Sequence, residues 1–118
     1  MIYSAVGGGT GSGTTNLIID RLSKEYPKLT SVGFTVIPPT NLQGTDIVAP
    51  YNATLCLGET SSRENLELDM WFDNEALFAF CAKNSTIEQP TFEDINKLIA
   101  IQASQLTQTM RFGGIGGA

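Results

Sequence analysis

The residues best equipped for chemistry are Gly7-Gly8-Gly9-Thr10-Gly11-Ser12-Gly13, five glycines and two hydroxyl residues in seven positions. Glycine lets the backbone take φ > 0 and approach a ligand with no Cβ in the way, so that successive N–H groups converge on one anion. Thr10 and Ser12 add hydroxyls. A short apolar run, Ile2 to Val6, comes before the glycines and a helical pattern comes after, so the positive end of that helix points at the same place. The chemistry implied is a phosphate cradle. The competing reading is a plain glycine turn with no ligand, since glycine most often marks turns.

Two better-known phosphate signatures are excluded. No frame of residues 7 to 13 supplies the G-x-G-x-x-G of a dinucleotide fingerprint, and the first lysine is Lys24, too late for the G-K-S/T of a P-loop. The chain has no histidine, which removes the commonest general base and most zinc arrangements. No catalytic residue and no metal site is assigned. Cys56 and Cys81 are too far apart for a C-x-x-C motif and too few for a disulfide scaffold; they read as small buried apolar residues in a reducing compartment. A net charge of −5 argues against a nucleic-acid partner. Half of the 12 acidic residues fall between Glu59 and Glu75, with Arg63 as the only base there, and this cluster reads as a solvated face rather than a docking site. No signal-peptide pattern opens the chain and no apolar run is long enough to span a membrane. A cytoplasmic protein without membrane insertion is expected, in which the N-x-T triplets at Asn52 and Asn84 are accidental.

The elements that must position the glycines follow from periodicity. Thr14 to Tyr26 reads as a helix with Leu17, Ile18, Leu22 and Tyr26 as the inward face, ended by Pro27. Ser31 to Ile37 is a buried strand stopped by Pro38-Pro39. Thr40 to Asp46, polar and containing Gly44, is a loop at a strand exit, where ligands sit in α/β sheets. Pro50 to Leu55 opens a helix with proline in an early position. Leu66 to Phe72 is the third strand. Asp73 caps a helix from Asn74 to about Lys83 with Ala76, Leu77, Phe80 and Cys81 inward. Pro90-Thr91 opens the longest helix, with Thr91 and Asp94 as a capping pair and Ile95, Leu98, Ile99, Leu106 and Met110 at helical spacing. Gly113-Gly114 and Gly116-Gly117 end the regular structure.

This alternation predicts one α/β domain over residues 1–118: a partial Rossmann-like parallel sheet of about three strands, flanking helices and a long C-terminal helix. A sheet that narrow leaves an edge unpaired, so partner strands from elsewhere are expected.

The glycine run in its strand-loop-helix setting resembles the tubulin signature G-G-G-T-G-S-G. Val48-Ala49-Pro50-Tyr51-Asn52-Ala53-Thr54-Leu55 resembles the tubulin stretch V-E-P-Y-N-A-T-L. Further matches fall at Asp73-Asn74-Glu75-Ala76-Leu77, at Pro90-Thr91-Phe92 with Ile95-Asn96-Lys97-Leu98, and at Arg111-Phe112-Gly113. The chain is identified as a divergent, partial member of the tubulin family, the tubulin/FtsZ GTPase domain, running from the signature loop through the long central helix.

That resemblance implies GTP or GDP as the ligand, with magnesium carried by the nucleotide. Gly7, Gly8, Gly9, Thr10, Gly11, Ser12 and Gly13 would hold the phosphates. Asn74 and Asn96 would contact the guanine, whose edge suits the donors and acceptors of a carboxamide, and Phe92 would stack on the base from the same helix face as Asn96. From the residues alone, Phe92 could equally be core and Asn74 part of a helix cap. Ala49 stands where tubulins have a glutamate associated with the ribose, and Asp46 is a nearby substitute. The family's acidic catalytic loop lies beyond the last residue, so this chain alone is predicted not to hydrolyse GTP. Two functions are implied: part of a GTP-binding cytoskeletal polymer subunit that partners other tubulin-like subunits, or a degenerate tubulin-like structural subunit without GTPase activity in a larger assembly.

Overall fold

The computed structural model describes residues 1–38, 47–59, 64–84 and 88–113. The expected loop from Thr40 to Asp46, Arg63 and the glycine pair at 116–117 lie outside the described residues. The order is β1 (Ile2–Ala5), a π-helical turn (Thr10–Thr14), α1 (Thr15–Glu25), β2 (Val32–Ile37), α2 (Ala49–Gly58), β3 (Leu68–Asp73), α3 (Asn74–Asn84) and α4 (Phe92–Arg111). The fold is α/β, and the chain divides into two compact units, Met1–Glu75 and Ala76–Ala118.

The first unit is built on a parallel sheet in the order β1-β2-β3. Parallel neighbours need a crossover between them, and α1 and α2 lie in the two crossovers. Tyr3 pairs with Phe34 across β1 and β2, and Val36 with Phe72 across β2 and β3. Side chains alternate between faces along a strand, so Tyr3, Phe34 and Phe72 fall on one face. Their rings stack across the sheet at centroid separations of 4.8 and 6.2 Å. Phe34, at the centre of the stack, is 1% exposed, and burial of that size stabilises by about 2–3 kcal/mol.

The opposite face is polar at its centre. Gly33 pairs with Asp69, and Thr35 Oγ1 donates to Asp69 Oδ1 at 2.8 Å. A Cβ on Gly33 would lie 2.7 Å from that same oxygen and 2.8 Å from Leu66 Cδ1. The glycine therefore makes room for the aspartate beside the fully buried threonine.

The expected inward face of α1 is corrected. Leu17, Ile18 and Tyr26 are exposed, whereas Thr15, Asn16 and Ile19 are buried and Leu22 is half-buried. The reason is the carboxamide of Asn16. Its Nδ2 donates to the Cys56 carbonyl of α2 at 3.2 Å, and a polar side chain so satisfied can be buried at little cost. The helix is therefore turned about its axis from the position apolar periodicity alone selects. Both cysteines are buried, as expected.

In the second unit, Cys81 of α3 and Ile95 and Ala103 of α4 are buried. Leu77, Leu98 and Ile99 are half-buried; Ala76 and Phe80, expected inward, are exposed, and so are Leu106 and Met110. The inward stripes of both helices are narrower than the apolar residues they carry. Thr91 and Asp94 form the expected capping box, with the Thr91 N–H and hydroxyl both donating to Asp94 Oδ2 at 3.0 Å. These bonds favour the charged carboxylate, and they hold the Asp94 pKa below its ordinary value of 3.8. Among the described residues no helix is long and apolar enough to cross a membrane.

Candidate functional site

Because the three strands are parallel, their C-terminal ends share one edge of the sheet, the edge at which α/β folds place ligands. β1 ends into Gly7, β2 into Pro38 and β3 into Asn74. The first unit thus brings the glycine turn and Asn74 to one edge, on either side of the end of β2. Asn74 is the first residue of α3, but the capping bond there is made by its predecessor: the Glu75 N–H donates to Asp73 Oδ1 at 3.0 Å. Asp73, not Asn74, satisfies the helix start.

The glycine turn is more compact than a loop. Gly9 has helical backbone angles, φ −63° and ψ −45°, and the chain passes directly into the π-helical turn, in which the Thr15 N–H donates to the Thr10 carbonyl. The Ser12 N–H donates to the Gly8 carbonyl at 3.0 Å, and the Ser12 hydroxyl to the Gly9 carbonyl at 3.2 Å. Single π turns of this kind are rare and recur at functional sites.

None of the five glycines takes a left-handed φ. The expectation that they serve positive φ is therefore replaced by a second reason, close approach, and it divides them into two kinds. A Cβ on Gly11 would lie 2.1 Å from the Ala5 carbonyl oxygen, and one on Gly7 would lie 3.0 Å from Pro38 Cβ. These two glycines let the turn fold back on β1 and on the end of β2. Among the described residues, a Cβ on Gly9 or Gly13 would meet nothing within 4 Å, and one on Gly8 only the Ala5 oxygen at 4.0 Å. Helical angles at Gly9 suit any residue. Among the described residues nothing requires glycine there, and the space is of the kind a ligand fills.

Gly9, Ser12 and Gly13 line one wall of a cleft of about 360 Å³, and Asn52, Leu55, Cys56 and Glu59 of the α2 segment line the other. Two asparagines hold those walls together. Asn16, fully buried, reaches from α1 to the Cys56 carbonyl, and Asn52 Nδ2 donates from α2 to the Gly7 carbonyl at 3.1 Å. Neither tie is evident from local sequence. The available signal was a carboxamide inside each helix, where asparagine is intrinsically unfavourable. Ala49 is 5% exposed, and its Cβ lies 3.6 Å from the position a Cβ on Gly7 would take. The methyl group packs under the turn and presents no hydrogen-bonding atom. Asp46 lies outside the described residues.

Phe92 and Asn96 belong to the second unit, one turn apart at the start of α4. The Phe92 ring is 65% exposed and meets Phe78 edge-on, with centroids 5.2 Å apart and planes at 78°. It is therefore not a core residue, and Asn96 is exposed on the same helix. Among the described residues no group of three His, Cys, Asp or Glu side chains is placed to hold a metal ion.

The arrangement offers anions the start of a helix, an open glycine surface and, at Thr10, an exposed hydroxyl. The family model for the Tubulin/FtsZ family, GTPase domain, matches residues 1–82.

Proposed function

The chain belongs to the Tubulin/FtsZ family, a family of GTP-binding proteins, and we propose that its glycine turn receives the phosphates of a guanine nucleotide. The observation that carries this reading is the open space at Gly9 and Gly13, glycines that neither the backbone angles nor any neighbouring atom of the described residues accounts for. A guanine nucleotide fits the residues present. The backbone N–H groups of Gly8, Gly9, Thr10 and Gly11 and the Thr10 hydroxyl bind phosphate oxygens, and the start of the π turn and α1 adds a favourable dipole. Asn74, at the same sheet edge, reads the guanine. In the second unit, taken by itself, the exposed Phe92 ring is a face on which a base can stack and Asn96 a second carboxamide, the roles that the family resemblance implies for them. The nucleotide contributes its own charge and any magnesium.

In this reading the chain acts within a subunit of a tubulin-like polymer in the cytoplasmic cytoskeleton, in contact with other subunits of its kind. Phosphate binding engages the glycine turn, and hydrolysis is assigned to the acidic catalytic loop of the family. The second reading, a tubulin-like structural subunit without GTPase activity, is favoured by one observation, the buried methyl of Ala49 where the family resemblance places a carboxylate.

The experiment is a titration of the isotopically labelled chain with GTP, GDP, ATP and inorganic pyrophosphate, followed at the backbone amides of residues 7 to 16. The phosphate reading expects the Gly8 to Gly13 amides to move with GTP, GDP and pyrophosphate, and guanine nucleotides to saturate below ATP. A well-folded chain whose turn ignores all four ligands establishes the structural reading instead.

A further inference from the structure

Asn52 is the fourth residue of α2, an interior helical position at which asparagine is a poor choice on propensity. Its backbone N–H stays within the helix, bonded to the Val48 carbonyl at 2.9 Å. Its side chain leaves the helix and donates Nδ2–H to the Gly7 carbonyl at 3.1 Å. Gly7 is confined on two sides, by Pro38 and by Ala49. What remains adjustable is the rotation of the peptide between Gly7 and Gly8.

A trans peptide is planar, and its C=O and N–H point in opposite directions. Holding the Gly7 carbonyl against α2 therefore turns the Gly8 N–H away from α2. Among the described residues that N–H has no acceptor, and the space about Gly8 is open. We propose that Asn52 is a positioning residue of the phosphate turn, whose carboxamide sets the Gly7–Gly8 peptide so that the Gly8 N–H faces the anion. This inference rests on the phosphate reading given above and names the side chain that prepares the turn for it. Asn16 serves a different purpose, fixing α2 to α1 one turn further along.

Asn52→Asp keeps the shape and replaces the donor with an acceptor, so that at neutral pH the carboxylate and the Gly7 carbonyl repel. Asn52→Ala deletes the contact. The free protein is read first, through the Gly7 carbonyl carbon and the Gly8 amide resonances, with the urea midpoint of each variant as the check on folding. Both variants are expected to shift those resonances. In GTP titrations Asn52→Ala weakens binding about tenfold and Asn52→Asp by more than that at neutral pH. The ratio of Asn52→Asp to wild-type affinity recovers as pH falls toward about 4, where the carboxyl group regains a proton and can donate again. A purely structural contact changes the urea midpoint but does not produce a pH-dependent affinity ratio in one variant only.

Unchanged Gly8 resonances together with wild-type affinity in both variants overturn the inference and leave the phosphate reading standing. If the variants shift the Gly8 resonance but the wild-type turn does not respond to GTP, GDP or pyrophosphate, the phosphate reading falls and Asn52 is reduced to a structural tie.

Discussion

Replacing Gly9 with alanine separates the demands of folding from those of binding. Gly9 has the backbone angles of a right-handed helix, which alanine adopts freely, and the added methyl meets no atom of the described residues within 4 Å. Removing the conformational freedom of a glycine at such a site stabilises a fold by about 0.4–1 kcal/mol. For a protein of this size that is a rise in Tm of about 2–5 °C. The same methyl occupies the space assigned to the phosphates. It displaces one charge-assisted hydrogen bond, worth about 1.5–3 kcal/mol, so GTP affinity should fall by about ten- to a hundredfold. Urea unfolding gives the first quantity and calorimetric titration the second. The control is Gly11→Ala, whose methyl would be driven into the Ala5 carbonyl at 2.1 Å; it should lose stability and binding together. A Gly9→Ala protein that is stabilised and binds GTP as the wild type does would refute the assignment of that space to a ligand. One that is destabilised would refute the stated geometry of the turn.

Asn16→Ala removes a fully buried hydrogen bond between α1 and α2 and should lower stability in urea by about 2–3 kcal/mol, with the first unit affected before the second. Gly33→Ala places a methyl against Asp69 Oδ1 and Leu66 Cδ1 and should cost about 1–3 kcal/mol as an overpacked site, detectable as a lower thermal midpoint. The pH dependence of α4 has a definite sign. Since the folded-state pKa of Asp94 lies below its ordinary value of 3.8, the capping contribution is fully present above that value and is lost as pH falls through the depressed pKa. In acid titrations followed by circular dichroism, Asn in place of Asp94 should remove this component of the transition and weaken the helix at neutral pH.

Features governed by local rules were readable from the amino-acid order. The succession of strands and helices, the Asp73 cap, the Thr91–Asp94 box and the glycine turn between a strand and a helix all follow from residues within a few positions of one another. The inward face of α1 did not, because the burial of Asn16 depends on a carbonyl 40 residues away. In sequence, the five glycines of the turn are equivalent. They differ only once the sheet brings the Ala5 carbonyl against Gly11 and Pro38 against Gly7, leaving Gly9 and Gly13 open. Phe92 shows the converse: an aromatic residue at a helix start reads as packing on general grounds, whereas the ring stands exposed beside Phe78. Asn52 sat inside a stretch noticed for its likeness to a family and still gave no sign of its partner, since Gly7 lies 45 residues earlier.

The two buried thiols have a use that packing does not suggest. Cys56 lies in the first unit, against Asn16, and Cys81 in the second. A buried thiol reacts with an alkylating reagent only when its surroundings open, so the labelling rate of each is a clock for its own half of the chain. Under conditions where both halves unfold together the two clocks run at one rate. Where they diverge, the faster one identifies the half that opens first. A ligand that slows Cys56 while leaving Cys81 unchanged acts on the helix pair beneath the glycine turn, with no mutation or added label needed to see it.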